Sequence, residues 1–213
     1  MIIKEACVEN FTDIPKLIHR GANRIELCDN LAAGGTTVSE GVLKASLAYC
    51  QPLAIPVMAI IRPRGGNFFY TDTEKNIMRH DIAWALAAGV DGVVIGALTH
   101  DLVLDRPFLE EVQQLAGQYG AELTFHMAFD ELSQETQISA LTELHALGFS
   151  RILTHGGPKS QDILASTPRL QVLMDAAPAG LIILPGGGLT KDNLPKLQSN
   201  LPQLSEAHGT QIV

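Results

Sequence analysis

The sequence predicts a closed barrel of parallel strands and helices, the TIM or (β/α)8 class. Three observations carry this. Short apolar runs alternate with longer amphipathic stretches along the whole chain. The βα units recur every 25 to 35 residues or so (about 30 on average), a spacing that suits right-handed crossovers between parallel strands. Eight candidate strands can be counted, which favours a closed barrel over an open doubly wound sheet.

The first strand is expected at Ile2–Cys7, followed by a helix over Thr12–Arg20 with Gly21 at its stop. The second strand, Arg24–Cys28, leads to a helix at Ser39–Tyr49. Pro56–Ile61 forms the third, and its helix, Thr73–Ala88, opens on a capping box of Thr71 and Glu74 and stops at Gly89. Strand Gly92–Gly96 precedes helix Pro107–Tyr119, closed by Gly120. Strand Glu122–His126 precedes helix Glu135–Leu147, closed by Gly148. Strand Arg151–His155 is followed by a helix over Ser160–Ala176, and strand Leu181–Pro185 by one over Lys191–Asn200, with Thr190 as its cap. The eighth strand is the faint run Leu204–His208. No Pro/Ser-rich linker breaks this rhythm, so residues 1–213 are read as a single domain. The chain reaches Val213 with no room for an eighth helix. Either another subunit covers that edge, or the barrel is open between its last and first strands.

Composition excludes several function classes. A formal net charge of −8 and the lack of a basic run argue against nucleic acid and against anionic membrane surfaces. Three cysteines cannot pair completely, which places the chain in the cytoplasm. The start, Met1-Ile2-Ile3-Lys4-Glu5, meets charge at once and lacks the apolar stretch of a signal peptide. No stretch is long and apolar enough to span a membrane.

Strand alternation then points to an unusual interior. Glu5 shares parity with Cys7, Glu26 with Cys28, Arg62 with Met58 and Ile60, Thr124 with His126, and Glu206 with His208. If these face inward, the barrel is lined by charge, and Glu26 can pair with Arg62 on the next strand. The other reading is that the parity is reversed and these carboxylates face helices or solvent. Arg62 and Arg64 sit in the rigid loop Ile61-Arg62-Pro63-Arg64-Gly65-Gly66, where fixed positive charge calls for a carboxylate or an anionic ligand.

Several segments together resemble the CutC copper homeostasis protein family. They are Arg24-Ile25-Glu26-Leu27-Cys28, the Arg62-Pro63-Arg64-Gly65-Gly66 block, Thr124-Phe125-His126 with Ala128-Phe129-Asp130, Leu147–Thr154 and Pro185-Gly186-Gly187-Gly188. The resemblance runs in order through nearly the whole chain. It implies a cytoplasmic TIM barrel, often a homodimer, linked to copper tolerance, with cysteines at the positions of Cys7 and Cys28 as copper ligands. Met127 departs from the arginine usual in the family, Asn67 from aspartate, and His155 from serine.

Candidate sites follow from both readings. Cys7 and Cys28 end adjacent strands and could share one soft ion; Cu(I) accepts few thiolates, whereas Zn(II) wants four ligands. They could equally be small buried hydrophobes. Gly186, Gly187 and Gly188 follow the seventh strand, where barrel loops often cradle a phosphate, although glycines also simply make tight turns. Gly156-Gly157 and Gly209-Thr210 converge on the same end. His126, with Asp130 four residues on, is the general acid/base candidate, or a structural histidine. Two functions therefore compete. One is a copper-binding protein using Cys7 and Cys28. The other is an enzyme acting on a small phosphorylated or carboxylated molecule, with Arg62, Arg64 and the glycine loop holding the anion and Glu26, His126 or Asp130 moving a proton. A third option, a barrel retained only as an interaction scaffold, draws on Met127 and the absent helix.

Overall fold

The computed structural model describes residues 2–213 and contains all eight expected strands. They are β1 (Ile3–Glu9), β2 (Arg24–Cys28), β3 (Val57–Ile60), β4 (Gly92–Ile95), β5 (Glu122–Phe125), β6 (Arg151–Thr154), β7 (Ile182–Pro185) and β8 (Glu206–Gly209). Between them lie α1 (Ile14–His19), α2 (Glu40–Cys50), α3 (Asp72–Ala88), α4 (Arg106–Tyr119), α5 (Gln134–Ala146), α6 (Thr167–Ala176) and α7 (Leu194–Asn200). Every ladder is parallel, in the order β7-β6-β5-β4-β3-β2-β1-β8. The result is a nearly closed (β/α) barrel.

The opening lies elsewhere than anticipated. The last and first strands are joined, Ile3 to Ala6 pairing with Glu206 to Gly209. The seam without a ladder falls between β7 and β8. There Arg151 of β6 reaches past β7 and donates from Nε to Glu206 Oε2 of β8 at 2.8 Å, so a side-chain clasp replaces the missing rungs.

Local chemistry accounts for the helix ends. The Thr71/Glu74 capping box forms as expected, and Gly89 ends α3 at φ 92°. Two helices begin later than their amphipathic pattern suggests. Pro168 and Pro195 take the first turns of α6 and α7, where the missing N–H costs nothing, so residues 160–166 and 191–193 form turns and a short 3-10 segment instead.

Burial separates into two apolar regions. The large one packs helices against the outer face of the strands. The small one, Cys7, Cys28, Met58, Ile60 and Val94, lies inside the barrel on the β1–β4 side. The inward parity of Glu5, Glu26, Arg62, Thr124 and His126 therefore holds, and all five are buried. Facing that apolar half is a layer of charge. Arg24 donates to both Glu5 and Glu206. Glu206 also takes the Arg151 bond, and Arg151 reaches on to Glu122 at the base. Opposite charges alternate around this layer, which is how four buried ionised groups remain tolerable.

Candidate functional site

Above the charged layer, the C-terminal ends of the strands enclose a cavity of about 260 Å³. One half of its wall comes from β1, β2 and β8. Cys7 Sγ and Cys28 Sγ are 3.8 Å apart, and Cys7 Sγ lies 3.8 Å from Glu26 Oε1. Cys28 donates its thiol hydrogen to the Val8 carbonyl at 3.1 Å. His208 Nδ1 is 2.8 Å from Glu5 Oε1 and 3.5 Å from Glu26 Oε2. Cys7, Glu26 and His208 each present a ligand atom, all within 4.8 Å of one another. Glycine makes this packing possible. A Cβ on Gly186 would stand 3.0 Å from the His208 ring and 2.6 Å from Leu153.

Electrostatics sort these groups. Burial would raise Glu5, but the hydrogen bond and charge of His208, with Arg24, bring it down to about 2. Glu26 lacks an arginine bond, and burial pushes it up to about 7. Burial alone would lower His208; the charge of Glu26 and the bond to Glu5 overcome that and raise it. The Cys7 thiol is pushed well up, first by its bond with Cys28 and then by burial. A metal binding here must therefore displace thiol protons. A carboxyl that titrates near neutrality, as Glu26 does, is also suited to taking up and returning a proton.

The other half of the wall is cationic. Arg62 does not meet Glu26. Its Nη1 donates to the carbonyls of Ala33 (2.9 Å) and Gly35 (3.1 Å), and Nη2 to Gly66 (2.8 Å). The β2–α2 loop curls its carbonyls around the guanidinium through the positive-φ residues Gly34 and Gly35, so backbone dipoles supply what the carboxylate was expected to. That leaves the Arg62 charge without a counter-ion, and its buried Nε has no partner. His126 lies flat over Gly96, where a Cβ would come within 2.3 Å of the ring, and its ring centroid is 4.9 Å from Phe68. Its Nδ1 accepts the Ala128 N–H at 3.1 Å, which assigns the ring proton to Nε2. Burial and then the Arg62 charge hold His126 down to about 3, so it stays neutral rather than titrating near neutrality.

The remaining predicted residues are divided. Gly187 and Gly188 line the cavity with Lys159, Met127 and Thr210. Gly186 and Gly187 have a packing duty as well, since a Cβ on Gly187 would meet Met127 at 2.9 Å and His155 at 3.1 Å. Met127 and His155 thus sit on the same glycine. Asp130 is turned away from His126: it accepts from the Thr154 hydroxyl and from the His155 amide at 2.9 Å, and burial raises it. Arg64 is held by Glu74 and by the carbonyls of Gly65, Asn67 and Phe69, outside the cavity. Sequence reasoning passed over Arg24, Arg151 and Lys159. The first was open to detection, since Arg24 shares parity with Glu26. Lys159 sits on a loop, where no periodicity marks it.

Comparison with known proteins agrees with the early resemblance. The family model described as CutC family matches residues 2–213. A protein of Enterococcus faecalis described as family protein CutC is 50% identical over 212 residues, covering 100% of both chains. A human protein named copper homeostasis protein cutC homolog is 38% identical over 195 residues, 92% of this chain and 68% of its own length. Among solved structures, a candidate copper homeostasis protein CutC of Streptococcus agalactiae superposes with a TM-score of 0.95 at 39% identity, covering 100% of each chain.

Proposed function

We propose, from the premise that this chain belongs to the CutC family, that it binds one Cu(I) ion through Cys7 and Cys28 and serves copper homeostasis in the cytoplasm. The observation that carries this is the 3.8 Å separation of two sulfurs, one of which, Cys7, lines the cavity while Cys28 is buried directly behind it. At that separation both sulfurs would be able to hold a single soft ion between them. Glu26 and His208 would offer further ligand atoms, each within 4.8 Å of the Cys7 sulfur. Two thiolates and one Cu(I) carry a net negative charge, which Arg62 and Lys159 on the same cavity offset. The paired sulfurs are soft donors, the class that Cu(I) prefers. Support for the cytoplasm comes from the three cysteines, all of them free. Assembly as a homodimer is carried over from the family resemblance alone.

Anaerobic titration of the reduced protein with Cu(I) against a chromogenic competing chelator tests the proposal. Wild type should take up one equivalent, and the Cys7→Ser, Cys28→Ser double variant should bind about 100-fold more weakly or worse. Equal affinity in the two proteins would remove the metal site. The alternative enzyme reading keeps the cationic half of the mouth in its favour. Of its proposed proton carriers, however, His126 is held neutral and Asp130 is engaged by Thr154 and His155, which leaves Glu26.

A further inference from the structure

The thiol half of the cavity gives the proposed metal its donors, but it leaves the opposite half unexplained. Two of the polar atoms that lack any partner, Arg62 Nε and His126 Nε2, belong to residues that line this half. Buried polar atoms are rarely left unpaired, because their lost hydration is then not replaced. Both residues are more than nine-tenths buried, so bulk solvent does not satisfy them. Around them the charge is one-sided. Arg62 has no carboxylate, and Lys159 projects from the β6–α6 loop on the same wall. The amides of Gly187 and Gly188 find no protein acceptor among the described residues, and both residues take positive φ (82° and 98°), which turns the loop around the cavity. Glu26, the one carboxyl on the cavity, stands across from these groups beside His208.

We infer that this cationic half is a binding site for a small organic oxyanion. Its phosphate or carboxylate group lies against Lys159 and the Gly187–Gly188 amides, and a further oxygen accepts the hydrogen of His126 Nε2. The ring is suited to that task because Ala128 fixes its tautomer from the other side and Gly96 fixes its plane. An imidazole held neutral donates one directed hydrogen bond, so it selects an oxygen in one place rather than any anion nearby. The cavity bounds the ligand. At about 30 Å³ per water, 260 Å³ holds roughly nine waters, which corresponds to a molecule of fewer than about ten heavy atoms.

The site is separable from the copper reading, because none of its groups is a proposed metal ligand. Calorimetric titration of metal-free, reduced protein with inorganic phosphate and, separately, with oxalate provides the test. One equivalent of at least one probe should bind. Lys159→Met should weaken it about tenfold, in keeping with the loss of one charge-assisted contact. His126→Phe should weaken it by a similar factor, while His126→Gln, which keeps an N–H donor, should restore most of the affinity. The nitrogen-15 signal of His126 Nε2 should shift on saturation. The Cys7→Ser, Cys28→Ser double variant should bind the probe as wild type does. Binding of phosphate alone identifies a phosphate ligand, and binding of oxalate alone a carboxylate. No binding of either probe at millimolar concentration would overturn the inference. So would binding that is indifferent to Lys159→Met, a change on an exposed loop that should not disturb folding. Either failure would leave the copper proposal standing.

Discussion

Two polar layers share the interior of one barrel, and they are built on opposite rules. In the lower layer Glu5, Arg24, Glu206 and Arg151 each meet an opposite charge. In the upper layer Glu26, Arg62 and His126 each keep a buried atom with no hydrogen-bond partner. The residue types are alike, and burial is nearly the same. What differs is saturation. A paired layer holds strands in register, whereas an unpaired one has capacity left for something that is not protein. The contrast locates function better than the presence of charge does, because charge in the barrel is as common below as above.

The comparison breaks first if the lower layer proves dispensable. Arg24→Met would leave Glu5 and Glu206 facing each other without their shared guanidinium. It should cost about 3–5 kcal/mol in urea denaturation, the usual penalty for removing one partner from a buried ion pair. A loss under about 1 kcal/mol would show that the layer is not structural.

The upper layer should betray itself through pH. His126 is depressed from 6.5 to about 3, so its neutral burial contributes fully above pH 6.5 and is lost as pH falls toward 3. Glu26 is raised from 4.5 to about 7, so its contribution is present below pH 4.5 and is lost as pH rises through 7. Between pH 5 and 7 each is worth about 2 kcal/mol in opposite directions, and wild-type stability should stay nearly flat. His208, which faces Glu26 and Glu5, is also raised and adds to the Glu26 side. His126→Gln should therefore make the protein lose stability as pH rises across that window, and Glu26→Gln should make it gain. Denaturation midpoints at three pH values check this, and identical slopes in the two variants would refute the assignment.

The smallest expected effect lies outside both layers. Arg64 is about a third exposed and pairs with Glu74 at the rim. Arg64→Ala should cost only about 1 kcal/mol and leave probe binding at the mouth unchanged. A large loss of binding would return Arg64 to the site.

How much of this was legible in the chain depends on what kind of signal each feature leaves. Strands and their inward parity are legible because a two-residue period survives in residues as short as Arg24–Cys28 and places Glu26 beside Cys28. The cluster of Cys7, Cys28, Glu26 and His126 at one end follows from that parity. Partner choice is not periodic. That Arg62 would turn to three loop carbonyls, and that Asp130 would answer Thr154 rather than His126, depends on how loops after different strands fold against one another. Lys159 lies beyond such reasoning for the same cause. The starts of α6 and α7 leave no such signal, because the apolar pattern continues upstream of Pro168 and Pro195 while the helices do not.

The clasp between Arg151 and Glu206 has a mechanical meaning. A cylinder whose staves are all laced together keeps a fixed bore, but this one is slit lengthwise, fastened by one guanidinium at the floor and, past the strand ends, by the Lys191 N–H donating to the Gln211 carbonyl. Its circumference can widen without unlacing any neighbouring stave, so the diameter of the vestibule is governed by an ionic latch on the floor and one backbone tie at the rim.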